Sequence, residues 1–190
     1  MLAGGRSRRF GRDKALAEFG GRTLLQLAID RFSACGACAV AARDNLIVAD
    51  HARASGAHVI CDASNAAEGP LAGIAAGLVW ADAMGFSLLA IAPCDAPLLT
   101  WRDYERLANA MGDSPGAFAV TAGGEHPLCA VLRCEVQATL SEALAEGRHP
   151  PIRNFLRLCG ARPVKFDDAK TFANANTTQA LARLSTETPL

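Results

Sequence analysis

The chain has 190 residues, 51% of them hydrophobic and 20% charged, which suits one globular domain with a full core and excludes a disordered protein. Its 19 basic residues balance its 19 acidic ones, so a general nucleic-acid or membrane-surface binder is not expected. No apolar run approaches the ~20 residues of a membrane span and no leader pattern opens the sequence; the cytoplasm is the expected compartment, with neither nucleic acid nor membrane as a partner.

Positive charge is instead concentrated at the start, in Leu2-Ala3-Gly4-Gly5-Arg6-Ser7-Arg8-Arg9-Phe10-Gly11-Arg12-Asp13-Lys14. Glycines let backbone N–H groups approach a ligand closely, and amides curved around a concavity bind anions, with Arg and Lys adding formal charge. The stretch reads as a polyphosphate cradle, although it fits neither the Walker pattern nor Gly-x-Gly-x-x-Gly. A basic surface turn is the alternative reading. Only Met1 to Ala3 precede the glycines, whereas such a loop leaves the end of a strand. The opening strand is therefore expected to be cut short, with more of it upstream and a longer chain more stable.

After the loop, Ala15 to Phe19 reads as a short extended piece closed by Gly20 and Gly21. Thr23 and Gln26 form a capping-box pattern, and Leu24, Leu27, Ala28 and Phe32 recur at helical spacing. The apolar run Ala37 to Ala42 predicts a buried strand, Asn45 to Ser55 a helix ending at Gly56, and His58 to Cys61 a strand. Asp62 stands at that strand's end, before a small polar loop, Ala63 to Glu68. Gly69-Pro70-Leu71-Ala72-Gly73 opens a helix through Ala81, with Pro70 suited to its first turn. Phe86 to Ala92, wholly apolar, predicts a central strand covered on both faces; it runs into Pro93-Cys94-Asp95-Ala96-Pro97. Thr100 then caps a helix to about Met111.

This alternation of strand and helix indicates a mostly parallel α/β sheet with right-handed crossovers. The second half differs: Ala117 to Thr121 and Leu128 to Leu132 flank Gly123 to His126 as a small antiparallel excursion. Helices over Glu135 to Glu146 and Ile152 to Leu158, a strand at Val164 to Phe166 and a helix over Thr178 to Leu184 complete the chain. With no linker or repeat, residues 1–190 read as a single domain. The seven cysteines read as buried small hydrophobes in a reducing compartment; Cys35 and Cys38 alternatively form a redox or zinc pair.

In an open α/β sheet, ligands bind beyond the carboxyl ends of the strands. The opening loop, Asp62 with Gly69 to Gly73, and Asp95 all fall there. A carboxylate facing a phosphate cradle repels the ligand unless a divalent cation lies between them, which is the Mg²⁺ arrangement. Turn-capping roles are the alternatives for Asp95 and Asp62, and plain helix initiation for Gly69 to Gly73. Asn174 to Thr177 reads as a helix cap, and His126 as a candidate ligand contact.

Leu2-Ala3-Gly4-Gly5, Arg9-Phe10-Gly11, Asp13-Lys14, Gly69 to Gly73, Pro93 to Pro97, His126-Pro127-Leu128 and Phe172 to Thr177 together resemble the nucleotidyltransferases that activate sugars and cofactors. Within them the match is to the molybdenum cofactor guanylyltransferase family, over nearly the whole chain. The resemblance implies a Rossmann-like three-layer α/β/α fold of the nucleotide-diphospho-sugar transferase type. It implies transfer of GMP from GTP to molybdopterin with release of pyrophosphate. The loop residues Leu2, Ala3, Gly4, Gly5, Arg8, Arg9 and Lys14 would hold the triphosphate. Asp62, Gly69 and Gly73 would line the nucleoside pocket, and Asn174 and Asn176 would face the pterin. Lys14 and Asp95 would be catalytic, with Asp95 on Mg²⁺. Molybdenum insertase and acceptor molybdoenzymes or their chaperones are the protein partners this implies. Phe10 departs from the family's usual Met, and Arg148 to Arg153 from its basic turn, so Arg153 receives no pterin role. Family members also carry several residues before the Leu-Ala-Gly-Gly stretch. A cytidylyl-transferring or sugar nucleotidyltransferase, a non-catalytic GTP-binding protein and a Cys35–Cys38 redox protein are the competing readings.

Overall fold

The computed structural model describes residues 1–3, 13–42, 45–61, 69–145 and 150–187. Where an extended piece is expected after the opening loop, Lys14–Leu16 instead forms a 3-10 turn, because Leu16 N–H bonds Asp13 O at 3.1 Å and Ala17 N–H bonds Lys14 O at 3.0 Å. The strand there is only β1 (Glu18–Phe19), paired antiparallel with β2 (Arg22–Thr23) around Gly20 and Gly21, both at positive φ. Thr23 Oγ1 accepts from Gln26 N–H at 3.1 Å and starts α1 (Leu24–Phe32). Next come β3 (Ala39–Ala41), α2 (Leu46–Ala54), β4 (His58–Ile60) and α3 (Pro70–Ala83). Residues 71 to 78 of α3 are all buried, so its first half is enclosed on every side.

β5 (Leu88–Ile91) leads to α4 (Trp101–Met111), which opens on a complete capping box between Thr100 and Asp103. Then follow β6 (Gly116–Thr121), β7 (Gly124–Arg133), α5 (Gln137–Ala145), α6 (Ile152–Leu158), β8 (Arg162–Lys165) and α7 (Thr178–Glu187). β7 runs antiparallel between β5 and β6, and β8 lies parallel to β6. β3 and β4 pair parallel in a separate two-stranded ladder. Leu2 joins the two ladders by bridging Ala41 on one side and Pro93 on the other, both in parallel sense. The order is thus β4-β3-Leu2-β5-β7-β6-β8, with β7 alone reversed: a mostly parallel sheet with an antiparallel excursion, as expected.

Side chains on β6 and β7 alternate between two helical layers, as strand geometry requires. Phe118, Ala130 and Leu132 meet Leu71, Ile74 and Leu78 of α3, Leu140 of α5 and Phe155 and Leu156 of α6. Ala117, Ala119, Cys129 and Val131 face Tyr104, Leu107 and Met111 of α4. Val40 packs with Leu25 and Ile29 of α1 and Val48 and Ala52 of α2.

One expectation fails in an informative way. β5 was to be central and covered on both faces, yet Leu88 is 37% exposed and Phe86, outside the strand, 39%. The strand starts at Leu88 because its ladder with β7 ends at the Leu88–Arg133 pair. Among the described residues its other long edge has no strand beside it until the Leu2 bridge.

Gly116 pairs with Leu132 where the two strands crowd. A Cβ there would stand 2.8 Å from Val131 O, which is backbone and cannot swing aside. Gly116→Ala is expected to cost about 1–3 kcal/mol, read as a lower urea midpoint. Gly123→Ala in the β6–β7 turn, with Thr121 Oγ1 the nearest atom at 3.5 Å, should leave the midpoint near that of the parent.

Candidate active site

Beyond the carboxyl end of β5 the chain turns through Pro93 and Cys94, both buried, to the half-buried Asp95. There Asp95 Oδ2 accepts from Lys14 Nζ, which also donates to Asn176 Oδ1 at 2.7 Å. Three segments, 81 and 162 residues apart along the chain, therefore meet on one ammonium group. The backbone reinforces the junction, because Ala175 N–H donates to Asp95 O at 2.8 Å. The side chains of Lys14 and Asp95 are only 14% and 20% exposed, so water screens the pair far less than a surface ion pair.

Asp13 anchors the end of the opening loop. Its carboxylate accepts from Asn45 Nδ2 at 2.6 Å, while Asn45 Oδ1 accepts from Val48 N–H at 3.1 Å as the cap of α2. One asparagine thus both starts a helix and holds the residue next to Lys14. The sequence signal was there, Asn45 at a helix start and Asp13 beside Lys14, but nothing in spacing pairs the two.

The Asn174–Thr177 stretch divides its work. Thr177 Oγ1 accepts from Ala180 N–H at 3.1 Å and caps α7, which leaves the Asn176 carboxamide to Lys14. Asn174 is exposed, and its carbonyl accepts from Asn176 N–H at 2.9 Å. Gly69, exposed at φ 93°, is the residue on which α3 begins. Gly73 is buried within α3 and lines an apolar cavity that Lys14, Asp95 and Asn176 do not line. Leu2 and Ala3 lie in the sheet. Gly4, Gly5, Arg8, Arg9 and Asp62 lie outside the described residues.

His126 sits where the β6–β7 register slips, beside Pro127, which has no N–H for the ladder. Thr121 Oγ1 accepts from Gly123 N–H at 3.2 Å and lies 2.9 Å from His126 Nε2. The hydroxyl can donate to or accept from Nε2, according to which tautomer the ring adopts. The ring stacks on Phe172 with centroids 4.9 Å apart, and burial holds its pKa below the ordinary histidine value. Arg153 and Arg157 both reach Glu125, at 2.7 and 3.1 Å, through largely exposed side chains.

Burial, reinforced by the charge of Asp95, pushes Cys94 up to about 12, and burial also raises Cys38. An attacking thiolate requires the opposite shift, which removes support from the Cys35–Cys38 redox reading. The Cys35 side chain lies outside the described residues.

Among the described residues no group of three or more His, Cys, Asp and Glu could cage a metal ion. A single carboxylate such as Asp95 suits a hard cation that takes its remaining oxygens from substrate phosphate and water.

The mostly parallel α/β sheet, with a lysine and an aspartate meeting beyond its strand ends, is a fold that solved structures share. Molybdopterin-guanine dinucleotide biosynthesis protein A from Archaeoglobus fulgidus superposes with a TM-score of 0.79 at 22% identity, covering 98% of this chain and 95% of that one. 2-C-methyl-D-erythritol 4-phosphate cytidylyltransferase from Thermus thermophilus gives 0.70 at 16% identity, covering 94% and 95%. The profile of the MobA-like NTP transferase domain matches residues 1–165, and the chain belongs to that family. Two curated relatives are named molybdenum cofactor guanylyltransferase. The one from Cereibacter sphaeroides is 34% identical over 185 residues, 96% of this chain and 92% of its own. The one from Acidiphilium cryptum is 38% identical over 183 residues, 93% and 88%.

Because folded His126 resists protonation, the unfolded chain binds its proton first as pH falls through about 6.5. Its contribution to stability is thus whole above 6.5, falls as pH drops towards the depressed folded value, and then levels off. Thermal melts at pH 7.5 and 5.5 should show a loss that His126→Gln reduces.

Proposed function

We propose that this chain transfers GMP from GTP to the terminal phosphate of molybdopterin and releases pyrophosphate. The observation that carries the reading is the meeting of Lys14, Asp95 and Asn176 beyond the carboxyl end of β5, in a chain of this family. Two relatives bearing the guanylyltransferase name, matched over nearly their full length, support the choice of nucleotide and acceptor.

In the reaction a phosphate oxygen of molybdopterin bonds to the α-phosphorus of GTP, and the bond from that phosphorus to the α,β-bridging oxygen breaks. The electron pair leaves with pyrophosphate. No protein nucleophile is required, so the chain's work is positioning and charge stabilisation. Lys14 enters the reaction already oriented between Asp95 and Asn176, and its ammonium steadies negative charge on the triphosphate and the departing pyrophosphate. Gly4, Gly5, Arg8 and Arg9 hold the phosphates, with Leu2 and Ala3 carrying the loop on the sheet. Asp62 contacts the nucleoside, Gly69 lets it approach the start of α3, and Gly73 supports that turn from within the helix. Asn174 and Asn176 face the pterin, Asn176 from its place on Lys14. Asp95 would hold Mg²⁺, which when bound with the substrate phosphates supplies Lewis-acid charge at the α-phosphate.

Asp95→Asn keeps the side-chain shape and removes the charge. Pyrophosphate release should fall on the order of 100-fold or more, with the far-UV spectrum unchanged; near-parental turnover would sink the assignment. With the parent protein and molybdopterin, GTP should outpace CTP, UTP and ATP. Fastest turnover with CTP would leave the transferase standing and overturn the base.

A further inference from the structure

Lys14 covers two groups that the proposed reaction needs uncovered. Its ammonium donates to Asp95 Oδ2 and to Asn176 Oδ1, and the reaction gives these two side chains to Mg²⁺ and to the pterin. A carboxylate with an ammonium resting on it is a poor ligand for a divalent cation, because the two positive charges repel over a short distance. Solvent does little to weaken that repulsion, since the side chains of Lys14 and Asp95 are mostly buried.

We propose that Lys14 is the resting occupant of the cation seat on Asp95, and that it leaves the seat only when a nucleoside triphosphate draws it away. The proposal rests on the reading of Asp95 as the Mg²⁺ carboxylate. Its first support is the poverty of the seat. Among the described residues no group of three or more His, Cys, Asp and Glu stands there to hold a metal, so a cation on Asp95 takes its other oxygens from phosphate and water. Before the triphosphate arrives, Asp95 would be a largely buried charge with no counter-charge, which is costly. Lys14 supplies that counter-charge.

The second support is that the backbone is fixed on both sides of the pair. Lys14 opens a 3-10 turn in which its carbonyl accepts from Ala17 N–H at 3.0 Å, and the neighbouring Asp13 is tied to Asn45 at 2.6 Å. Asp95 stands between the buried Cys94 and Ala96, and its carbonyl accepts from Ala175 N–H at 2.8 Å. The part that can move is the flexible stem of Lys14, which carries a compact charge with rotatable donors. A triphosphate offers that charge more negative partners than one carboxylate does. The same departure uncovers Asn176 without shifting it. Asn176 N–H stays on Asn174 O at 2.9 Å, and Thr177 still caps α7. One side-chain swing thus readies the metal seat and the acceptor side together.

The test uses Mn²⁺ as the probe, counted by the EPR signal of the free ion, with no nucleotide present. The far-UV spectrum checks the fold of each variant. Lys14→Met and Lys14→Gln, which lose the charge, should bind Mn²⁺ at least ~10-fold more tightly than the parent. Lys14→Arg, which keeps it, should bind as weakly as the parent. Adding Asp95→Asn to Lys14→Met should cancel the gain. No gain in the Met and Gln variants, an equal gain in the Arg variant, or a gain that survives Asp95→Asn overturns the inference. A separate arm adds GTP, and there Mn²⁺ should raise the Tm of the parent more than that of Asp95→Asn. If that arm holds while the Lys14 variants gain nothing, the guarding role falls and Asp95 remains the metal carboxylate. Equal shifts in that arm take the metal off Asp95, and both readings fall.

Discussion

Three backbone hydrogen bonds at the start of the chain connect everything else. Leu2 N–H reaches Ala92 O at 2.9 Å, Ala3 N–H reaches Ala41 O at 3.1 Å, and Ala41 N–H reaches Met1 O at 2.9 Å. They hold the β3–β4 ladder against the four-stranded ladder, which otherwise share no strand pairing among the described residues. Ordinarily a central parallel strand makes such bonds along its whole length; here a few residues make them all.

Charge is organised around the same place. The chain is neutral overall, yet its first fourteen residues hold Arg6, Arg8, Arg9, Arg12 and Lys14 against Asp13 alone. Lys14 and Asp13 are both engaged, with Asp95 and Asn176 on one hand and Asn45 on the other. A poorly screened pair such as Lys14 and Asp95 depends on its geometry, because either charge left alone is costly. Ala175 N–H donates to Asp95 O and Asn176 Oδ1 accepts from Lys14, so the segment before α7 braces the junction from the far end of the chain.

Much of this was legible in the residues. The glycine–arginine loop, the apolar run into Pro93-Cys94-Asp95 and the switch from parallel to antiparallel after Met111 all announce themselves locally, through composition and period. What was not legible depends on contact between distant segments. Asn176 reads as a helix cap because Asn caps helices; that Thr177 takes the capping role, freeing Asn176 for Lys14, is decided by the path of the chain. Asn45 likewise looked complete as a cap while its amide also held Asp13. Gly73 resembles part of a nucleoside-pocket motif, and nothing in that motif announces that it also lines an apolar cavity.

β5 shows the limit most clearly. An unbroken apolar strand predicts burial on both faces, and that prediction assumes neighbours on both edges. With β7 on one edge and an apolar cavity on the other, Leu88 remains open to solvent despite its sequence. Leu2 bears on this directly, since it lines the apolar cavity beside β5 and its N–H bonds Ala92 O. Slack between β3 and β5 would be taken up at Leu2 and Ala3, whose backbone bonds to Ala92 and Ala41 join the two ladders.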